Sequence, residues 1–121
     1  MYTAFVLDDT TRLDLSTQFP PKYPKFIGHH ITIDFGVDHI EDDTPANISV
    51  VGYSDSSDGL EVLVVSVNGV NKRADGMTYH ITWSLDRDKY KPVDSNKLLI
   101  GSNWNDVVPI RLGVMVPQLL S

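Results

Sequence analysis

The chain has 121 residues, no cysteine and a formal net charge of −6 at pH 7. This length suits one domain with a core, and the missing cysteines exclude disulfides and thiolate metal ligands. The negative charge argues against a protein that coats nucleic acid through bulk electrostatics. No apolar run is long enough to span a membrane, and the N-terminus lacks the basic segment of a signal peptide. We therefore expect a cytoplasmic protein without a membrane partner, located in the host cytoplasm if its source is viral.

The first elements are a strand and a helix. Alternating apolar residues and β-formers predict a strand over residues 2–8. A helix is expected over residues 8–19, with Asp9 or Thr10 as its N-cap and Leu13 on its inner face. The prolines that follow cannot continue this helix, because they lack an amide hydrogen and fix φ.

The pattern of the remaining residues predicts mainly antiparallel strands. The predicted elements are a strand over 26–35, an acidic surface loop over 38–47, a hairpin of strands 48–55 and 60–69, a strand over 79–86, a short helical turn within 91–103 and a strand over 107–116. We therefore expect an α+β domain with one or two short helices.

The tripeptide His-Ile-Thr occurs twice, each time inside a predicted strand, at His30–Thr32 and at His80–Thr82. Side chains alternate between the two faces of a strand, so each histidine shares a face with its threonine. The apolar neighbours should face the core on the opposite side: Ile31, Ile33 and Phe35 in the first copy, and Ile81, Trp83 and Leu85 in the second.

An imidazole beside a hydroxyl suits phosphate chemistry. The imidazole can transfer a proton near neutral pH, and the hydroxyl can donate to a phosphate oxygen. Cleavage of a phosphodiester needs a base for the attacking oxygen and an acid for the leaving oxygen, and one histidine from each copy can fill these roles. A pseudo-two-fold repeat of about residues 1–57 and 58–121 would bring the two copies face to face. The alternative is that both are ordinary strand residues.

The tetrads His30-Ile31-Thr32-Ile33 and His80-Ile81-Thr82-Trp83 resemble the twin H-x-T/S-x signature of the 2H phosphoesterase superfamily. The opening strand, the capped helix and the segment "KPVDSN" are most similar to its small RNA-repair-like branch. The resemblance implies two pseudo-symmetric lobes of antiparallel strands around a cleft, trimmed here because the tetrads are unusually close together. It also implies that His30 and His80 are the acid–base pair and that Thr32 and Thr82 bind the phosphate.

Further residues are candidates for contacts with the substrate. Tyr2, Tyr79 and Trp104 could stack on nucleobases, and Lys91 and Ser95 are weaker candidates for phosphate contacts. The alternative for the three aromatic residues is packing.

Two histidines lie outside these candidate roles. His29 should point away from His30 as a packed histidine, and His39 should be solvated in its acidic loop. Zinc-ligand spacing, a Walker-type phosphate loop and serine-nucleophile motifs are missing, so no metal and no cofactor are expected.

Three functions remain open at this point. The favoured one is a metal-independent phosphodiesterase that acts on 2′,3′-cyclic phosphates of RNA ends or nucleotides. The second is a phage-type enzyme that degrades cyclic oligonucleotide defence signals. The third is a non-catalytic module that binds a nucleotide.

Overall fold

The chain forms eight strands and two helices in the computed structural model, which describes residues 1–121. In chain order they are β1 (Tyr2–Val6), α1 (Asp9–Gln18), β2 (Lys25–Phe26), β3 (His30–Phe35), β4 (Ala46–Asp55), β5 (Leu60–Val67), β6 (His80–Leu85), α2 (Asp94–Leu98), β7 (Asn105–Met115) and β8 (Gln118–Leu120). The strands form a three-stranded antiparallel sheet in the order β3-β1-β8 and a five-stranded antiparallel sheet in the order β2-β6-β5-β4-β7. The predicted α+β class is confirmed.

Two apolar clusters cover the five-stranded sheet, one on each face. The larger cluster joins this sheet to β1, β3 and α1, and it includes Phe5, Leu15, Ile31, Ile48 and Trp83. The smaller cluster lies on the opposite face, near α2, and it consists of Leu60, Val62, Val64, Leu85 and Leu99. Because both faces of the sheet are covered, every residue of β6 is buried.

Helix α1 has its N-cap at Asp8, one residue before the first of the two predicted caps and two residues before the second. The Asp8 carboxylate is the N-cap and accepts a hydrogen bond from the Thr11 amide at 2.7 Å. Leu15, which is 1% exposed, faces the core, whereas Leu13 is 66% exposed. The inner-face prediction for Leu13 was therefore wrong, because residues two apart on a helix point in nearly opposite directions.

The predicted strand over 26–35 is in fact two strands in different sheets. Strand β2 pairs with β6, whereas β3 pairs with β1, and the chain crosses between the sheets at Gly28. Gly28 has φ +51°, and a Cβ built there would lie 2.7 Å from the Phe26 ring and 2.9 Å from the Trp83 ring. Only glycine combines this backbone conformation with so close an approach.

Strands β3 and β6 share an irregularity at the same place in their tetrads. In the β1–β3 pair, Thr32 and Asp34 oppose neighbouring residues of β1, so Ile33 is an extra, bulged residue. In the β5–β6 pair, Thr82 and Ser84 oppose neighbouring residues of β5, and Trp83 is the bulged residue. Both tetrads thus end in a β-bulge at their fourth position.

The bulges correct two sequence predictions. A bulge adds one residue to the strand and so reverses the face of every side chain after it. Phe35 consequently leaves the core face and is 59% exposed. Leu85 likewise lies in the smaller cluster, on the face opposite to Ile81 and Trp83.

The other predictions for the second half largely agree with the structure. The β4–β5 hairpin, β6, the short helix α2 and β7 lie where the pattern places them, with ends that differ by one or two residues. Strand β8, which pairs with β1, was not predicted. Neither helix is long and apolar enough to cross a membrane.

Candidate active site

The two tetrads meet at a cavity of about 360 Å³ where the two sheets lie side by side. His30 and Thr32 of β3 and His80 and Thr82 of β6 all line it. The other lining residues come from β1, from the segments before and within the tetrad strands, and from the region of α2: Tyr2, Ile27, Phe35, Arg73, Pro92, Val93 and Asn96. The structure therefore brings together the four residues that the sequence analysis paired.

His80 is held in one orientation by the backbone. It is 9% exposed, and its Nδ1 lies 2.8 Å from the carbonyl oxygen of Thr78. A carbonyl only accepts hydrogen bonds, so Nδ1 carries the hydrogen and Nε2 of the neutral ring is free to accept a proton. Burial and the nearby Arg73 charge lower the pKa of His80, and the Thr78 carbonyl opposes this shift only in part.

His30 lies opposite on β3 and is half-buried. Its ring centroid is 5.2 Å from that of Tyr2, and its Nδ1 is 2.9 Å from Nδ1 of His29. Burial, together with the neighbouring histidines His29 and His80, lowers the pKa of His30 to about 4. Both imidazoles are therefore neutral in the free protein at pH 7.

His29 does not point away from His30, as strand alternation predicts. It is exposed and contacts the His30 ring. The reason is that β3 begins only at His30, and the positive φ of Gly28 ends the regular alternation just before it. His39 is solvent-exposed in the acidic loop and lies 2.7 Å from the Asp38 carboxylate.

The two threonines differ in their hydrogen bonding. The Thr82 hydroxyl donates to the Pro92 carbonyl at 3.3 Å and lies 2.8 Å from the Ser95 hydroxyl. A hydroxyl has a single hydrogen, so in this arrangement Ser95 donates to Thr82. The Thr32 hydroxyl has no such partner in the protein and is available to a ligand in the cavity.

Of the other candidate residues, only Tyr2 lines the cavity. Tyr79 packs against the larger core cluster, and Trp104 packs against the smaller one. Ser95 is completely buried behind Thr82, and the Lys91 amide donates to the Asp94 carboxylate outside the cavity. The packing alternative for Tyr79 and Trp104 is therefore the one that fits their positions.

Six of the cavity-lining residues were not assigned to the site from the sequence, among them Phe35 and Arg73. Phe35 lies beside Tyr2, with ring centroids 5.9 Å apart, because the bulge turns it outward. Arg73, seven residues before His80 in the sequence, is 5% exposed and forms an ion pair with Asp75 at 2.9 Å. A bulge or a long hairpin leaves no signal in the alternation of apolar residues, so neither placement could be read from it.

Comparisons with protein-family models, curated proteins and solved structures found no match for this chain. The structure contains no group of three or more His, Cys, Asp or Glu side chains arranged to hold a metal ion.

Proposed function

We propose that the protein is a metal-independent phosphodiesterase that hydrolyses the 2′,3′-cyclic phosphate of an RNA end or a nucleotide by acid–base catalysis with two histidines. The observation that carries this proposal is that His30 and His80 line one cavity. Each has its threonine two residues further along the same strand, just before a bulge. Two ordinary strand histidines have no reason to share both a cavity and a bulge position.

In the proposed reaction, one neutral histidine accepts a proton from water as the water oxygen attacks phosphorus. A new phosphorus–oxygen bond forms, and the bond from phosphorus to one ribose oxygen breaks. The other histidine, in its protonated form, gives its proton to that ribose oxygen, and the product is a phosphomonoester. The two imidazoles exchange protonation states over the cycle, so no proton is gained or lost by the protein.

His80 is suited to the role of base. Its Nδ1–H is held by the Thr78 carbonyl, so Nε2 keeps its lone pair when the ring is neutral. The lowered pKa of His80 maintains that neutral form. His30 is then the acid, and it takes up its proton when an anionic phosphate enters the cavity, because a nearby negative charge raises the pKa of an imidazole.

The phosphate needs hydrogen-bond donors as negative charge develops on its oxygens. The free hydroxyl of Thr32 can donate directly. The Thr82 hydroxyl accepts from Ser95 and can donate to the phosphate only by giving up its 3.3 Å hydrogen bond to the Pro92 carbonyl. Tyr2 and Phe35 offer aromatic surface beside His30 on which a nucleobase can stack. The cavity volume of about 360 Å³ lies at the small end of the range for ligand sites, which suits a single nucleotide unit.

The proposal is tested by offering the protein a panel of substrates in excess EDTA and reading product masses. The panel contains nucleoside 2′,3′-cyclic phosphates, RNA that ends in a cyclic phosphate, and cyclic di- and trinucleotides. We expect the cyclic phosphates to open to phosphomonoesters. Turnover of cyclic oligonucleotides alone would favour the defence-signal function, and binding without turnover would favour a nucleotide-binding module.

A further inference from the structure

We propose that Arg73, held in place by Asp75, forms a second anion subsite in the cavity and binds a phosphate of the substrate other than the one that is cleaved. This inference rests on the proposed function and names its substrate class. The preferred substrate would carry a phosphate on the 5′ side of the nucleotide with the cyclic phosphate. An RNA end always has such a phosphate, and a 5′-phosphorylated nucleotide also has one.

One nitrogen of the Arg73 guanidinium has no hydrogen-bond partner in the protein. Its Nε and Nη2 donate to the two carboxylate oxygens of Asp75 at 3.2 and 2.9 Å, and Nη2 also lies 3.5 Å from Oδ1 of Asn96. Nη1 has no hydrogen-bond partner. Every buried side-chain nitrogen or oxygen in the protein has one, so Nη1 is not buried. Nη1 is therefore accessible, and since Arg73 lines the cavity, its two N–H groups are available to a ligand there.

The charge of the cavity also favours an anion. The chain as a whole carries −6, but none of the residues that line the cavity is acidic, and Arg73 is the only lysine or arginine among them. A concave site with one sign of charge and low-dielectric walls concentrates ligands of the opposite sign. A buried guanidinium that only stabilised the fold would be expected to use all of its donors inside the protein.

The position of Arg73 relative to the tetrads also supports a second anion subsite. Along β3 the cavity-facing residues are His30, Thr32 and Phe35, in that order. The guanidinium carbon of Arg73 lies 5.6 Å from the centroid of the ring of Phe35, the second residue after the first tetrad. This position, on the Phe35 side of the cavity and close enough to His80 to influence its pKa, suits a phosphate adjacent to the one that is cleaved.

The test compares adenosine 2′,3′-cyclic phosphate with and without a 5′-phosphate, using the wild type and Arg73→Gln. A charge-assisted hydrogen bond contributes about 1.5–3 kcal/mol, so the wild type should favour the 5′-phosphorylated substrate by at least about tenfold in kcat/KM. Arg73→Gln should lose that preference and still turn over the substrate with a 5′-hydroxyl. Equal turnover of both substrates by the wild type, or an equal loss on both in the variant, would overturn the proposal.

A binding measurement separates this inference from the proposed function. Calorimetry on the wild type should show tighter binding of adenosine 3′,5′-bisphosphate than of adenosine 3′-monophosphate, whether or not any substrate is turned over. Arg73→Lys, which keeps the charge but loses the planar fork, should retain part of this difference, and thermal unfolding reports whether each variant is folded. Equal affinity of the wild type for the two ligands would exclude a second anion subsite.

Discussion

The Nδ1 atoms of His29 and His30 lie 2.9 Å apart, so these neighbouring imidazoles share one hydrogen. When both rings are protonated, each Nδ1 carries a hydrogen and the contact becomes repulsive. A charge on exposed His29 therefore opposes a charge on His30, in addition to the effect of burial.

We predict that His29→Ala raises the pKa of His30 from about 4 toward the usual value of a histidine. The substitution removes the like charge and opens the ring to solvent, and both changes favour the protonated form. The pKa is measured by following the imidazole signals of His30 in NMR spectra across pH. His39→Ala is the matched control, because His39 is exposed and contacts Asp38 instead. An unchanged His30 midpoint in His29→Ala would show that the contact has no influence.

The pH dependence of kcat/KM should be bell-shaped, with its maximum on the acidic side of neutrality. Unperturbed histidines predict a maximum near neutrality, but the pKa of His30 falls to about 4 and that of His80 is also lowered. One histidine must be protonated and the other neutral, so the maximum lies between two pKa values that are both below about 6.5.

The profile of kcat should have its maximum at higher pH than that of kcat/KM. The kcat profile reports pKa values in the enzyme–substrate complex, where the anionic phosphate raises the pKa of both imidazoles. Both profiles are measured on one cyclic phosphate. The apparent pKa values that each profile gives describe the two histidines as a coupled pair, not one residue each. A kcat/KM that rises steadily to pH 9 would contradict a reaction that depends on a protonated histidine.

The two threonine variants should fail in different ways. Thr32→Val removes a donor that has no partner in the protein, so it should lower kcat and leave stability nearly unchanged. Loss of such a donor typically costs about 3 kcal/mol in the transition state. Thr82→Val also leaves the buried Ser95 hydroxyl without its partner, and a buried unsatisfied group costs about 1–3 kcal/mol of stability. The Pro92 carbonyl keeps its hydrogen bond from the Ser95 amide at 3.2 Å.

Steady-state kinetics and chemical denaturation distinguish the two threonine effects. Thr82→Ser is the control for the second site, because it keeps the hydroxyl that contacts Ser95. Equal stability losses in Thr32→Val and Thr82→Val would contradict the different hydrogen bonding of the two residues.

Gly28→Ala should destabilise the protein, because the crossing between the sheets leaves no room for a Cβ. The added atom would lie 2.7 Å from the Phe26 ring and 2.9 Å from the Trp83 ring, at φ +51°. Overpacking costs about 1–3 kcal/mol, and the backbone conformation adds about 1–2 kcal/mol. Gly36→Ala is a matched control, with φ +68° and no atom within 4 Å of the new Cβ. If the two variants unfolded at the same denaturant concentration, the close packing at Gly28 would not be important for stability.

Much of the fold and the centre of the site could be predicted from the sequence. The alternation of apolar residues identified most of the strands, and it placed His30 with Thr32 and His80 with Thr82 on faces that line one cavity. The pattern describes a regular strand, however, and each tetrad ends in a bulge that reverses the face of the side chains beyond it.

Other features depend on contacts between residues that are distant in the sequence. Gly28 is required by its approach to Trp83, which is 55 positions away in the chain. Arg73 enters the cavity because its loop folds back beside Phe35 and Asn96. No local pattern contains this information, so the position of His29 and the composition of the cavity required the structure.

The most direct test of two-histidine catalysis is the rate of opening of a 2′,3′-cyclic phosphate at an RNA end in excess EDTA, measured for the wild type, His30→Ala, His80→Ala and His39→Ala. General acid–base catalysis contributes about 10²–10⁴-fold for each group, so both cavity variants should lose at least about a hundredfold in rate while remaining folded by circular dichroism. His39→Ala should keep the wild-type rate. Near-wild-type activity in either cavity variant, or a wild-type rate that chelation abolishes and one divalent metal restores, would contradict the account.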